Sequence, residues 1–136
     1  MHKIIIVGGG LAGSLGAIYL AQRGHDVHVI EKRGDPLLDT AANADPVNSR
    51  AIGVSMTVRG IKAVLAAGIS KQELDLCGEP IVGMAFCVGG RHRIRELTPL
   101  EGLFPLSLDR TAFQRLLNRH AAKHAVKYYF EHKCLD

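Results

Sequence analysis

The chain has 136 residues, 47% hydrophobic and 22% charged, which is the composition of a folded protein of about one compact domain. Its net charge of +4 tolerates an anionic ligand, but the basic residues are scattered and only 5% of residues are aromatic, so nucleic-acid binding is not predicted. Three cysteines without a CxxC pair disfavour a disulfide framework or a zinc site, and no apolar run is long enough for a signal peptide or a membrane span, so we expect a cytoplasmic protein.

The first 31 residues predict a strand, a helix and a second strand. Ile4–Val7 is a β-branched run of the kind buried on both faces of a sheet, and a helix is predicted from Leu11 to Gln22. Gly24 stands where that helix should end, and the second strand ends at Glu31. Together they have the size of a βαβ crossover. The helix residues expected to face inward are Leu15, Ile18 and Tyr19.

A glycine motif joins the first strand to the helix. Residues 8–13 read GGGLAG and match GxGxxG. Gly8 permits a tight turn, Gly10 lets the backbone approach a pyrophosphate, and Gly13 lets the helix pack closely on the strand. Free N–H groups at the start of the helix suit phosphate, and Glu31 can accept hydrogen bonds from ribose hydroxyls. The pattern predicts a dinucleotide site and disfavours bound NADP, but it leaves NAD and FAD both open.

The middle of the chain predicts two short helices and a hairpin. Residues 34–49 are rich in turn formers and are predicted to be a loop. A helix is predicted from Met56 to Ala67, and Ser70 with Glu73 forms a capping box for a second helix. Two extended segments around Gly89-Gly90 predict a hairpin over residues 81–97.

The last part predicts one more helix and one more strand. Asp109 is a candidate helix cap, the helix has an apolar stripe, and residues 126–130 (VKYYF) predict a strand. The stripe consists of Phe113, Leu116, Leu117 and Ala121. The order of elements predicts an α/β fold: a Rossmann-like βαβ core with a parallel sheet and an inserted β-hairpin.

Two further clusters are interpreted as solvent-facing. Arg91, Arg93 and Arg95 alternate along one face of a predicted strand, and that spacing is typical of a solvated surface. His120 and His124 are spaced i, i+4 on the last helix, but no third ligand accompanies them, so no metal site is predicted. Together with Arg119 and Lys123 they are interpreted as a solvated basic face.

Beyond the glycine motif, residues 49–69 (SRAIGVSMTVRGIKAVLAAGI) and residues 103–124 (LFPLSLDRTAFQRLLNRHAAKH) carry a family resemblance. With the first 33 residues and the final VKYYFEHKCLD, they resemble the N-terminal part of the class A FAD-dependent aromatic monooxygenases, most closely kynurenine 3-monooxygenase. In that family an arginine precedes a strand and a helix of the form RGxxAL, and a later arginine begins the pattern RxxLxxxL.

The resemblance implies FAD as the bound cofactor and NAD(P)H as a transient reductant. It implies a longer enzyme that hydroxylates a small aromatic substrate with O2 through a flavin hydroperoxide, and residues 1–136 would be its FAD/NAD(P)-binding domain. The hairpin at 81–97 would come from the substrate-domain side. The resemblance, together with the glycine motif, implies a set of FAD contacts. These are Gly8, Gly10, Leu11, Ala12, Gly13, Glu31, Lys32, Arg33, Arg50, Ser55, Arg110 and the backbone of Cys134.

The chain also departs from the family pattern. Met84 stands where kynurenine enzymes are expected to place an arginine for the substrate carboxylate, which argues against kynurenine. A second GD motif and most of the substrate domain are absent from these residues, so we expect the chain alone to be inactive. No catalytic acid or base is identified. The alternatives are an incomplete or non-catalytic dinucleotide-binding module and an NAD-dependent oxidoreductase domain.

Overall fold

The structure is a computed structural model that describes residues 1–38 and 53–135. Its contacts divide the chain into two units, one of Met1–Ile52 with Arg110–Asp136 and one of Gly53–Asp109. The elements in chain order are β1 (Lys3–Val7), α1 (Leu11–Gln22), β2 (Asp26–Ile30), β3 (Val54–Met56), α2 (Val58–Ala66), α3 (Lys71–Asp75), β4 (Gly78–Pro80), β5 (Gly83–Val88), β6 (Arg91–Glu96), β7 (Leu106–Leu108), α4 (Arg110–Lys123) and β8 (Lys127–Tyr129).

The first unit is built on a parallel sheet of order β1-β2-β8. Ile4 pairs with Val27, and Val29 pairs with Tyr128, so both ends of the chain contribute to one sheet. This confirms the predicted α/β class with a βαβ start. The expectation that β1 is buried on both faces is wrong, because Ile5 and Val7 are 60% and 64% exposed. Burial alternates along β1, so only one of its faces packs against the core.

Helices α1 and α4 pack against each other in this unit. The predicted apolar stripe of α4 is buried as expected. In α1 the buried residues are Ser14, Ala17 and Ile18, and Leu15 is only partly buried. Two of these three buried residues are small, which allows the close approach of neighbouring backbone. Gly24 has a φ of +80° and follows the end of α1, as predicted.

The second unit holds an antiparallel sheet of order β3-β7-β4 and the short helices α2 and α3. Its buried side chains include Ile61, Val64, Leu74 and Leu106. Helix α2 begins at Val58 rather than Met56, because Thr57 caps it by accepting a hydrogen bond from the Gly60 N–H at 3.4 Å. The predicted capping box of α3 is present.

The same unit contains the predicted hairpin, formed by β5 and β6. Gly89 and Gly90 have φ values of +58° and +73°, which only glycine adopts freely, and they make the two-residue turn between the strands. Met84, Phe86 and Val88 pair with Arg95, Arg93 and Arg91, so these three apolar and three basic side chains share one face. All six are exposed.

Candidate functional site

The glycine motif forms a tight connection between β1 and α1. Gly8 has a φ of +100°, and its N–H donates to the carbonyl oxygen of Ile30 at 2.8 Å. A Cβ atom added at Gly13 would lie 2.0 Å from the carbonyl oxygen of Gly8. At Gly10 an added Cβ would meet no atom of the described chain within 4 Å. The motif therefore needs glycine at 8 and 13 for its own folding, whereas Gly10 leaves open space beside the backbone.

The N-terminus of α1 presents N–H donors that the helix itself does not satisfy. Gly10 occupies the N-cap position and has no side chain that could cap the helix, and the first turn contains no acidic residue. The first intrahelical hydrogen bond runs from the Ser14 N–H to the Gly10 carbonyl oxygen at 2.9 Å. The N–H groups before Ser14 lack partners within the helix, and they carry the positive end of the helix dipole. This arrangement suits a phosphate group.

The carboxylate of Glu31 ties this connection to the end of β2. It accepts the Gly9 N–H at 2.7 Å through one oxygen and the Arg33 N–H at 2.9 Å through the other. The Arg33 guanidinium lies 3.8 Å from the second oxygen, and Glu31 is only 6% exposed. Each carboxylate oxygen can accept more than one hydrogen bond, so Glu31 retains capacity for a ligand hydroxyl while it holds the protein backbone.

A buried polar cluster lies beneath the glycine motif. The Ser14 hydroxyl donates to the Gly9 carbonyl oxygen at 2.9 Å, and the Gln114 amide nitrogen lies 2.9 Å from the same oxygen. Gln114 also contacts the Asn118 amide oxygen at 2.7 Å. Sequence reasoning missed Gln114 and Asn118. The available signal was a pair of amides at i, i+4 beside the apolar stripe of the helix.

Tyr128 packs against the same part of the motif. Its ring edge would lie 3.3 Å from a Cβ added at Gly9, so a side chain there would require Tyr128 to shift slightly. The hydroxyl is buried and makes no hydrogen bond within residues 1–38 and 53–135. Burial raises the pKa of the Tyr128 hydroxyl above its usual 10.0, and the carboxylate of Asp35 adds to that effect. The nearby Ser14 hydroxyl acts in the opposite direction, but Ser14 directs its hydrogen bond to Gly9.

The chain after β8 returns to the end of β2. The Glu131 N–H donates to the carbonyl oxygen of Arg33, and the His132 N–H donates to that of Glu31, both at 3.0 Å. Cys134 follows two residues later and is exposed. The first unit thus brings the predicted residues of the motif, the Glu31–Arg33 segment and the segment that leads to Cys134 into one hydrogen-bonded region.

The remaining predicted site residues are placed as follows. Lys32 and Arg33 are exposed beside Glu31. Arg110 is exposed at the first position of α4, one turn before Gln114 on the same side of the helix. Ser55 lies in β3 of the second unit, where it pairs with Ser107. Arg50 and most of the predicted loop at 34–49 lie outside the described residues.

The interpretation of α4 as carrying a solvated histidine face is wrong for His120. His120 is 5% exposed and belongs to the buried side of α4, whereas His124 lies 3.3 Å from the Gln22 side chain. The described part of the chain contains no group of three or more His, Cys, Asp or Glu side chains that could hold a metal ion. Among the same residues, no helix combines the length and apolarity needed to cross a membrane.

A protein-family model described as "FAD binding domain" matches residues 1–136. The chain belongs to the FAD-binding domain family. Family membership resolves the choice between NAD and FAD that the glycine motif left open, and the cofactor is FAD. The open space at Gly10 and the uncapped start of α1 fit the pyrophosphate of that cofactor.

Two relatives show how this FAD-binding domain compares with curated proteins. It is 70% identical to a violacein synthase of Chromobacterium violaceum over 136 residues, which cover 100% of this chain and 32% of that protein. It is 35% identical to a kynurenine 3-monooxygenase of Cytophaga hutchinsonii, with coverage of 99% and 29%. The chain therefore spans about a third of the length of these relatives. Kynurenine 3-monooxygenase is the more distant of these two relatives, so the resemblance to it indicates a shared family.

Solved structures of flavin enzymes share the fold of this FAD-binding domain. A probable FAD-dependent monooxygenase from Pseudomonas aeruginosa superposes with a TM-score of 0.74 at 20% identity, over 96% of this chain and 33% of that one. The p-nitrophenol 4-monooxygenase of Pseudomonas putida gives a TM-score of 0.75 at 20% identity, over 98% and 33%. At this identity the similarity establishes the fold and nothing finer.

Proposed function

We propose that this chain is the FAD-binding portion of a flavin-dependent monooxygenase that hydroxylates a small aromatic substrate with NAD(P)H and O2. The observation that carries the proposal is the glycine connection itself: an uncapped helix start with open space at Gly10, beside the buried carboxylate of Glu31. Membership of the FAD-binding domain family supports the cofactor, and the relative named kynurenine 3-monooxygenase supports the class of enzyme.

The residues of the first unit would hold the adenosine and pyrophosphate half of FAD. The N–H groups of Gly10, Leu11, Ala12 and Gly13 would donate to the pyrophosphate, and Gly8 would shape the turn that presents them. Glu31 would accept from the ribose hydroxyls. Bound flavin supplies the redox chemistry, whereas the residues of this chain bind and orient it.

The basic residues would complete the cofactor site. Arg50 and Arg110 carry guanidinium groups that suit the two negative charges of a pyrophosphate. Lys32 and Arg33 lie next to Glu31 and are exposed, so they are available to an adenosine ribose. The family resemblance adds Ser55 and the backbone of Cys134 to this set.

Glu31 also bears on the reductant. A carboxylate at this position repels the 2′-phosphate of a resident NADP, so we infer that NAD(P)H acts as a transient reductant and does not occupy the site of the glycine motif. FAD has a free ribose 2′-hydroxyl and meets no such repulsion.

The substrate is proposed from similarity and from one residue of the hairpin. The 70% identity makes the substrate of the violacein synthase the first compound to test. Kynurenine is the second, and Met84 argues against it because its side chain cannot pair with a carboxylate. The apolar and basic face of the β5–β6 hairpin is exposed in this chain, and we propose that it lies on the substrate-domain side of the whole enzyme.

The test uses the natural full-length protein. We expect a yellow protein with flavin absorbance, and NADPH oxidation and O2 consumption that rise when the aromatic substrate is added. A protein that binds NAD but no flavin would favour the NAD-dependent oxidoreductase. One that neither binds FAD nor consumes NADPH would favour the non-catalytic module. Residues 1–136 alone should retain FAD weakly or not at all, because they would hold only the adenosine and pyrophosphate half of the cofactor. Tight, stoichiometric binding of FAD by residues 1–136 would contradict this expectation.

A further inference from the structure

The carbonyl group of Gly9 is held by two side-chain donors inside the first unit. The Ser14 hydroxyl and the Gln114 amide nitrogen both lie 2.9 Å from the Gly9 carbonyl oxygen. That carbonyl shares a peptide plane with the N–H of Gly10. The peptide is trans, so its C=O and N–H bonds point in opposite directions. A Gly9 carbonyl that points toward α4 therefore directs the Gly10 N–H away from α4.

The two donors are themselves fixed by a third side chain. The Gln114 nitrogen lies 2.7 Å from the Asn118 amide oxygen and 3.0 Å from the Ser14 hydroxyl. The Asn118 oxygen is also 3.3 Å from Ser14. Ser14 is fully buried, Asn118 is 3% exposed and Gln114 is partly buried, so most of this cluster is shielded from water.

The positions next to 114 and 118, Phe113 and Leu117, are buried with apolar side chains. Burying an amide instead costs free energy unless the amide is hydrogen-bonded. The amides have one backbone acceptor in this cluster, the Gly9 carbonyl oxygen. This is the group whose direction sets that of the Gly10 N–H.

We propose that Gln114 and Asn118 are positioning residues for FAD binding: through Ser14 and the Gly9 carbonyl, they fix the Gly9–Gly10 peptide so that the Gly10 N–H faces the cofactor pyrophosphate. The inference rests on the proposed function and adds to it two residues on α4 that need not touch the cofactor. It makes α4 part of the machinery that shapes the glycine motif.

The test compares FAD binding by the full-length protein and three variants. Gln114→Met keeps the length of the side chain and removes its hydrogen bonds, and Asn118→Leu removes the acceptor that orients Gln114. Each should weaken FAD binding about tenfold, the effect of one lost orienting hydrogen bond. The double variant should bind about as weakly as either single one, because the two residues act as a unit. Titration followed by quenching of flavin fluorescence measures the dissociation constants.

Gln22→Met is the matched control. Gln22 of α1 lies 3.3 Å from the ring of His124, the residue after α4, but it is about 12 Å along α1 from Ser14. Its FAD affinity should match that of the wild type. The phosphorus resonances of bound FAD provide a readout that a loss of stability alone would not move. They should shift in Gln114→Met and Asn118→Leu and stay in place in Gln22→Met.

The possible failures are distinguishable. A wild-type protein that binds no FAD overturns the proposed function. Wild-type FAD affinity in Gln114→Met overturns the positioning role and leaves the proposed function standing. The positioning role is also overturned if FAD binding by Gln114→Met, Asn118→Leu and the double variant weakens only in step with a lowered melting temperature and the phosphorus resonances are unchanged. The amides would then act only through stability.

Discussion

The carbonyl oxygen of Gly8 occupies the space that a side chain at Gly13 would need: an added Cβ there would lie 2.0 Å away. Gly13→Ala must therefore move the backbone of β1 or of α1. We expect a loss of about 1–3 kcal/mol in the free energy of unfolding and no measurable FAD binding, because the helix start and the turn separate. Chemical denaturation measures the stability, and flavin absorbance measures the binding.

Gly16→Ala is the control for this change. Gly16 lies in the same helix, and an added Cβ there meets nothing within 4 Å. Alanine in the interior of a helix should raise the free energy of unfolding by about 0.5–1 kcal/mol. A Gly13→Ala variant as stable as Gly16→Ala would contradict the close contact between Gly8 and Gly13.

Gly10→Ala should separate binding from folding. The backbone at Gly10 has a φ of −70°, which alanine adopts without strain, and an added Cβ meets no described atom. We expect the free energy of unfolding without FAD to change by less than about 1 kcal/mol, the cost of a poorer N-cap. FAD affinity should fall at least tenfold, because the methyl group projects beside the N–H donors. Unchanged affinity would show that the pyrophosphate does not approach Gly10.

Glu31→Gln tests the tie between the glycine motif and β2. The carboxylate accepts one N–H at each oxygen, whereas an amide presents one acceptor and one donor. One of the N–H groups of Gly9 and Arg33 would lose its partner, and we expect a loss of about 1–3 kcal/mol in the free energy of unfolding. Glu96→Gln on the exposed hairpin should stay within about 0.5 kcal/mol of the wild type. Equal denaturation midpoints for the two variants would refute the structural role of Glu31.

Tyr128→Phe removes a buried hydroxyl that has no hydrogen-bond partner in the described chain. At neutral pH we expect unchanged stability or a gain of up to about 1 kcal/mol. The raised pKa of Tyr128 predicts a difference in alkali. Because the folded protein holds this proton more tightly than the unfolded chain, the wild type keeps its full stability below the unfolded value of 10.0 and loses stability as pH rises through the folded value, and Tyr128→Phe should not show this loss. Thermal unfolding at increasing pH measures it.

Tyr129→Phe is the contrasting variant. The Tyr129 hydroxyl lies 3.0 Å from Nδ1 of His28, so its removal should lower the free energy of unfolding by about 1 kcal/mol. If both tyrosine variants lost stability to the same extent, the Tyr128 hydroxyl would have a partner that the described residues do not reveal.

Asp26 predicts how the stability of the protein changes at acidic pH. The hydrogen bond from Lys127 at 2.9 Å, with a second from His28 at 3.0 Å, holds the pKa of the Asp26 carboxyl below its usual 3.8. The contribution of this cluster is present above the unfolded value and is lost as pH falls through the folded one. Asp26→Asn should therefore be less stable than the wild type near neutral pH, and the gap should close in strong acid. A gap that stays constant down to the acid transition would contradict the lowered pKa.

The sequence predicted the parts of this fold that depend on local chemistry. Glycines at 24, 89 and 90 adopt positive φ where a helix end or a turn was expected, and the Ser70–Glu73 capping box forms as expected. Such features depend on neighbours within a few residues, so a linear pattern contains them. The GxGxxG spacing between a strand and a helix is another such local feature.

The sequence could not predict which side chains meet across the fold. One partner of the Gly9 carbonyl group, Gln114, comes from α4, 105 residues away, and a glutamine on a helix gives no sign of which carbonyl it will reach. The burial of His120 and the exposure of Ile5 likewise depend on what packs against each element. Periodicity marks a face as apolar, but it does not name the partner of that face.

The sheet order β1-β2-β8 has a consequence for synthesis of the chain. The first unit takes its strands from residues 3–30 and 127–129, and residues 53–109 form the other unit between them. A ribosome adding about 5–20 residues per second needs roughly 5–20 s to pass from the end of α1 to β8. During that time α4 is not yet present to cover the inner face of α1. We expect the emerging amino-terminal segment to be open to chaperone binding, and the parallel sheet to be completed only when β8 has left the ribosome.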